Sequence, residues 1–309
     1  MSVFLSAKLP YHPAFISYLP SPMPISDYLK AWPLYVLPQH AISRLVYRLT
    51  RRESNWTQAA IRQFIKTFKV DMSEAEQPDP RAYKTFNAFF TRRLKPELRP
   101  VDQAVGVLAS PVDGQISQVD AIREGRIFQA KGFDYSVLEL LGGDTARAQP
   151  FLNGQFTTIY LSPRDYHRIH MPLAGKLVEQ VYVPGRLFSV AGHTVRTIPR
   201  LFARNERVVA IFETAFGKMA LVLVGAINVA AIETVWAGLI TPPHQKAIRV
   251  EHYPELSLAK GEEMGRFNMG STVIVLLEAN TWDWGNMAAN QPVRMGIKLA
   301  EWMGKTPVV

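Results

Sequence analysis

Residues 265–278 read Gly-Arg-Phe-Asn-Met-Gly-Ser-Thr-Val-Ile-Val-Leu-Leu-Glu, and the second half of this stretch decides the fold. Thr272–Leu277 is apolar and β-branched, which predicts a largely buried strand. The Gly270–Ser271 bond stands at its mouth. Glycine has no Cβ, so its carbonyl can take unusual dihedrals and be approached closely by a hydroxyl. A serine held by a rigid strand just after it can attack that carbonyl if a base lies nearby. The plain alternative is a turn that leads into a strand.

Outward from this strand the chain keeps the same texture back to Val101. Val107–Ser110, Gly114–Val119, Arg126–Ala130, Phe156–Leu161, Leu177–Val183, Val208–Thr214, Lys218–Val224 and Ile227–Thr234 also read as strands. Asp113-Gly114, Glu124-Gly125 and Phe216-Gly217 read as turns between them. Helix is expected only around Tyr135–Leu141 and over Gln291–Trp302. The expected fold is α+β: a β-rich barrel or sandwich catalytic body, residues 101–309, behind a helical N-terminal region, residues 1–100.

Hydrophobic residues make up 48% and charged residues 20% of the 309, the balance of a folded protein with ample core. The chain has no cysteine, which excludes disulfides, thiolate nucleophiles and Cys-ligated zinc or iron–sulfur sites. The net charge of +9 is unevenly spread: residues 1–100 carry 15 Lys/Arg against 7 Asp/Glu, or +8, and the rest only +1. A nearly neutral body with a basic front suggests an anionic surface as partner.

Residues 1–25 are apolar and Pro-rich without the pattern of a secretory signal, so no cleaved leader is expected. The longest apolar run, Met219–Ile232, is too short to span a bilayer and reads as strand. Ile42, Leu45, Val46 and Leu49 share one helical face, with Arg44, Arg48, Arg51 and Arg52 opposite. A second helix, with Ser54 or Asn55 as N-cap, aligns Ile61, Phe64, Ile65 and Phe68 against Arg62, Lys66 and Lys69. Basic amphipathic helices of this kind either lie in a lipid headgroup layer, apolar side down, or pack on their own protein's core. Trp32, Tyr35, Tyr47 and Trp56 favour the membrane boundary. Nucleic acid is disfavoured, because no aromatic RNA-binding signature accompanies the basic residues. A short helical piece, Tyr83–Arg93, closes the region.

Two further stretches carry polar groups that a plain β-body does not need. In Ser110–Ser117, Asp113 before Gly114 reads most simply as a hairpin residue. In Leu161-Ser-Pro-Arg-Asp-Tyr-His-Arg-Ile-His-Met-Pro172, His167 and His170 stand three apart; on a helical turn both rings share a face, on a strand they diverge. A third metal ligand is missing from the local pattern, so no metal is expected. Asp113, His170 and Ser271 supply the residue types of a hydroxyl nucleophile, its base and an orienting carboxylate. No Gly-x-Ser-x-Gly elbow surrounds Ser271, which argues against an α/β-hydrolase.

At these residues the chain resembles the bacterial phosphatidylserine decarboxylases. The likeness runs over Lys66–Met72 (KTFKVDM), Tyr83–Phe90 (YKTFNAFF), Leu161–Pro172, Tyr182–Gly185 (YVPG), Asn205–Arg207, Ile232–Gly238 (IETVWAG) and Gly261–Ser271. Met269 stands where that family usually has leucine, and nothing after Glu278 matches strongly.

The resemblance implies that Ser271 attacks the Gly270 carbonyl with His170, held by Asp113, as base. A long chain 1–270 and a short chain 271–309 would result, with residue 271 converted into a covalent pyruvoyl cofactor. That group would form a Schiff base with the amine of phosphatidylserine, and His167 would assist decarboxylation to phosphatidylethanolamine. The implied setting is peripheral, on an anionic leaflet at the cytoplasmic face of the cell membrane. The two chains would stay as partners, and a homodimer is an expected assembly. Rival readings are a pyruvoyl decarboxylase of a soluble amino acid, a serine hydrolase and a catalytically silent membrane scaffold.

Overall fold

The computed structural model describes residues 24–130, 132–227, 231–242, 244–268, 271–278 and 281–305. Gly270, Met269 and the prolines of the first 23 residues therefore lie outside the described residues.

The predicted strand is the middle of the molecule. Thr272–Leu277 has every residue buried and runs antiparallel to Gln155–Tyr160 on one side and Gly217–Val224 on the other. Those neighbours are almost wholly buried too, and a strand covered on both faces has no use for alternation. Their nine-stranded sheet continues through Arg207–Thr214 and Gly175–Val183 to Arg249–His252 at one edge, and through Gly114–Ala121 to Pro292–Val293 at the other. It is open. The expected barrel is thus corrected: two separate edges remain, and the sheet does not close on itself.

A four-stranded sheet, ordered Gly238–Leu239, Ile232–Thr234, Glu263–Phe267, Arg168–His170, carries the histidine stretch. A three-stranded sheet joins Val107–Ala109 to Lys298–Trp302 and Trp282–Asp283. The helix expected over Gln291–Trp302 is absent; the segment forms strands Pro292–Val293 and Lys298–Trp302. Gly296 breaks any helical run, since its φ is +91° and a Cβ there would stand 2.4 Å from the Pro100 carbonyl oxygen. Around Tyr135–Leu141 the chain is strand first, Phe133–Ser136, and then a single turn, Val137–Leu140, capped by Ser136.

Five helices lead the described chain: α1 (Ile25–Ala31), α2 (Pro33–Val36), α3 (Gln39–Thr50), α4 (Thr57–Phe68) and α5 (Phe86–Phe90). The apolar face of α4 turns inward. Ile61 is fully buried and Phe64 packs edge-on against Phe86, Phe89 and Phe90 of α5. Ser54 caps only the turn before α4, accepting from the Trp56 N–H.

α3 behaves in the opposite way. It docks through polar residues: Gln39, Ser43 and Thr50 are buried, and Gln39 accepts from the Leu187 N–H and donates to the Leu34 carbonyl. Leu45 is left 57% exposed, beside the exposed Leu49. With Ile25 at 76%, Trp32 at 66% and Val36 at 68%, the helical front presents apolar side chains to the outside. No described helix is long and apolar enough to cross a membrane.

Candidate active site

Ser271 is fixed by its place just before the central strand. Its carbonyl accepts from the Leu161 N–H at 2.9 Å, and six residues further along, the His167 carbonyl accepts from the Phe267 N–H at 3.0 Å. These two bonds hold the stretch Leu161–His167 against the stretch that leads from Phe267 to Ser271. The loop is self-supporting: the Asp165 carboxylate accepts from the Ser162 N–H, and the Asp165 N–H returns to the Ser162 carbonyl. The Ser271 side chain is fully buried, and its Oγ has no hydrogen-bond partner among the described residues.

His170 closes the short strand Arg168–His170 and His167 stands just before it, so no helical turn carries the pair. Their rings therefore diverge. His167 is fully buried with its ring 4.2 Å from that of Phe90. Its Nδ1–H donates to the Asp165 carbonyl at 2.7 Å, which leaves a lone pair on Nε2. That Nε2 is buried and unpartnered among the described residues. Burial, with a smaller contribution from the Arg92 guanidinium, pushes the His167 pKa down to about 3, so the ring is a neutral base at physiological pH.

His170 is held at both ends. Nδ1–H donates to the Gly261 carbonyl at 2.8 Å, and Nε2 accepts from the Tyr166 hydroxyl at 3.0 Å. Burial lowers its pKa as well, against partial compensation from the Gly261 hydrogen bond.

Asp113 departs from expectation in two ways. It is no hairpin residue, because it joins two different sheets, Val107–Ala109 in one and Gly114–Ala121 in the other. Gly114 is needed there for close approach: a Cβ would stand 2.4 Å from the Tyr160 carbonyl oxygen. Nor does Asp113 hold His170. Its carboxylate accepts from Arg99 Nε at 2.9 Å, from Arg99 Nη2 at 2.6 Å and from the Met295 N–H at 2.8 Å. A buried carboxylate takes the nearest forked cation, and Arg99 supplies one while also bridging to Glu74. The expected Asp113–His170 hydrogen bond is replaced by this clamp.

Sequence reasoning missed Arg99 and Tyr166. Tyr166 stands inside the quoted histidine stretch and its hydroxyl was a visible candidate partner; Arg99 is one basic residue among many. A cavity of about 410 Å³ opens beside Asp113 and Tyr166 and is lined also by Lys69, Arg92, Arg164 and Arg294 and by the carboxylates of Asp71, Glu74 and Asp165. Arg92 is buried and makes no ion pair with any described carboxylate; its Nη2 donates to the Arg164 carbonyl.

A buried serine hydroxyl at the head of a core strand, in a fold that also buries a neutral histidine, marks an α+β enzyme whose hydroxyl is out of reach of substrates in bulk water. A family model described as phosphatidylserine decarboxylase matches residues 86–301, and a second, described as PSD, matches residues 29–69. Relatives named phosphatidylserine decarboxylase proenzyme agree with it along most of their length. That of Pseudomonas fluorescens is 56% identical over 269 residues, covering 85% of this chain and 93% of the relative. That of Alkalilimnicola ehrlichii is 58% identical over 260 residues, covering 83% and 90%. The Bordetella pertussis protein is 54% identical over 285 residues, covering 90% and 96%. The chain belongs to the phosphatidylserine decarboxylase family.

Proposed function

We propose that this protein is a self-processing phosphatidylserine decarboxylase that cuts its own backbone between Gly270 and Ser271 and acts at a membrane surface. The observation that carries the reading is the fully buried, unpartnered Ser271 hydroxyl at the head of the central strand. A polar atom left without a partner in a buried site is costly, and a role in chemistry is one reason for a fold to keep it. Here it suits a group made from that residue itself.

In the first step Ser271 Oγ attacks the Gly270 carbonyl carbon and its proton passes to a histidine. The Gly270–Ser271 C–N bond breaks as the ester forms. Loss of the Ser271 α-proton then expels the Gly270 carboxylate, and water releases ammonia from residue 271 to leave a pyruvoyl group. When present, that ketone supplies the electron sink for loss of CO₂ from an amine-bearing substrate. His170 is the assigned base of the cutting step, with Asp113 acting on it through its field across the Arg99 clamp. His167 is assigned to proton delivery during decarboxylation.

A second reading exchanges the histidines. It is favoured by the free lone pair of His167 Nε2, since that of His170 is engaged by Tyr166. In either case the buried, ion-pair-free Arg92 in the cavity wall suits the anionic headgroup. The outward-facing apolar side chains of α1–α3, with Arg44, Arg48 and Arg52 exposed among them, suit docking on an anionic leaflet.

Ser271→Ala is expected to give one uncut chain on a denaturing gel, where the parent gives chains 1–270 and 271–309. Normal cutting by that variant would overturn the proposal. His170→Ala and His167→Ala then separate the two readings. The first expects an uncut His170→Ala and a cut but poorly active His167→Ala; the second expects His167→Ala to stay uncut.

A further inference from the structure

At the junction of α3 with the body, two strands across the sheet from Ser271, three residues from distant parts of the chain converge: His40, Glu206 and His244. One potential ligand atom from each lies within 4.8 Å of the others. His40 sits in the first turn of α3, Glu206 immediately precedes the strand Arg207–Thr214, and His244 lies in the loop after Gly238–Leu239. The pattern of the histidine stretch argues only about His167 and His170, and this cluster is invisible to it.

The hydrogen bonds settle the protonation of both rings. His40 Nε2–H donates to the Gly185 carbonyl at 3.0 Å, which leaves a lone pair on Nδ1. His244 Nδ1–H donates to the Glu206 carboxylate, at 2.9 Å to one oxygen and 2.7 Å to the other, which leaves a lone pair on Nε2. His40 Nδ1 and His244 Nε2 are both buried, and neither has a partner among the described residues. The two rings lie 4.4 Å apart, centroid to centroid.

Glu206 is only 1% exposed, and no described Lys or Arg pairs with it; its other bond comes from the Tyr182 hydroxyl at 2.5 Å. Its backbone is fixed from both sides, Glu206 N–H donating to the Arg186 carbonyl and Gly225 N–H donating to its own. A buried carboxylate needs a positive charge. A metal ion between the two lone pairs engages both rings, and the Glu206 carboxylate behind the His244 ring balances part of its charge.

We propose that His40 Nδ1 and His244 Nε2 ligate one divalent transition-metal ion of the zinc class, with Glu206 behind the His244 ring. Imidazole is a donor that such ions prefer, and the carboxylate–histidine contact orients the His244 ring for ligation. The ion ties α3, and with it the exposed apolar front, to the sheet that contains the central strand. Its role is structural.

The test uses the full chain in detergent, stripped with a chelator, reloaded with zinc and desalted before elemental analysis. The expected result is about one zinc per chain. His40→Ala and His244→Ala each weaken zinc binding by at least about tenfold in competition with a chromophoric chelator, whereas His252→Ala, at an exposed position, leaves it unchanged. Failure of the parent protein to retain zinc overturns the proposal, as does equal binding by all three variants. Should the alanine variants misfold, the zinc-edge absorption spectrum of the loaded parent decides. Imidazole scattering with ligands at about 2.0–2.1 Å supports the site, and an oxygen-only shell overturns it.

Discussion

His167 is the residue with the most unusual electrostatics. Its pKa is pushed from the ordinary 6.5 to about 3 by complete burial. In the unfolded chain the ring takes up a proton as pH falls below 6.5, while in the folded protein it stays neutral until about pH 3. The unfolded state therefore binds the extra proton, and stability falls as pH drops through this window. At about 1.4 kcal/mol per pH unit, the difference between pH 6.5 and pH 5 is about 2 kcal/mol. We expect denaturant unfolding of wild type and His167→Gln at pH 7 and pH 5 to differ in slope by this amount. Equal pH dependence in both proteins would show that His167 is not held neutral. The sequence made His167 and His170 visible as a pair but not their divergence, because Pro163 and Pro172 signal only that a turn is near. Asp113 was legible as a polar residue of consequence. Its partner was not, since nothing in the spacing prefers Arg99 to His170.

At the level of elements, the strands were readable because buried β-branched runs leave few alternatives. Thr272–Leu277 and Arg126–Ala130 begin where the side-chain pattern predicts. Amphipathic helices are harder, since periodicity marks two faces without saying which one meets the protein. α4 lays its apolar face on Phe86, Phe89 and Phe90, while α3 turns Leu45 and Leu49 outward. The difference lies in Gln39, whose amide is satisfied on both sides only when the polar face is docked. Vesicle flotation should follow this division. Leu45→Glu and Trp32→Glu should each weaken binding to anionic vesicles by about tenfold or more, the loss of one buried apolar side chain. Arg62→Glu on the outer face of α4 should change it less. Equal binding by all three would remove α1–α3 as the contact surface.

For the whole molecule, the position of the proposed cut matters more than its chemistry. The short chain would begin at the middle strand of the nine-stranded sheet, and it also contributes Pro292–Val293 and Lys298–Trp302 to two sheets. Cutting therefore should not release it. A native sizing column is expected to show one species where a denaturing gel shows two, and urea should part the chains only as the far-ultraviolet signal is lost. Separation without unfolding would contradict this packing. Long-range convergence is also where sequence reading runs out. His40, Glu206 and His244 are brought together by the docking of α3 and the return of a loop, neither of which has a local signature.

The orientation of α3 has a practical side. With its greasy flank turned away from the core, the protein in plain buffer will cover that flank with whatever is to hand, and the nearest cover is another molecule of itself. Clusters seen in water and dispersed by a mild surfactant would then report this bare flank, and their size should not be read as a native stoichiometry.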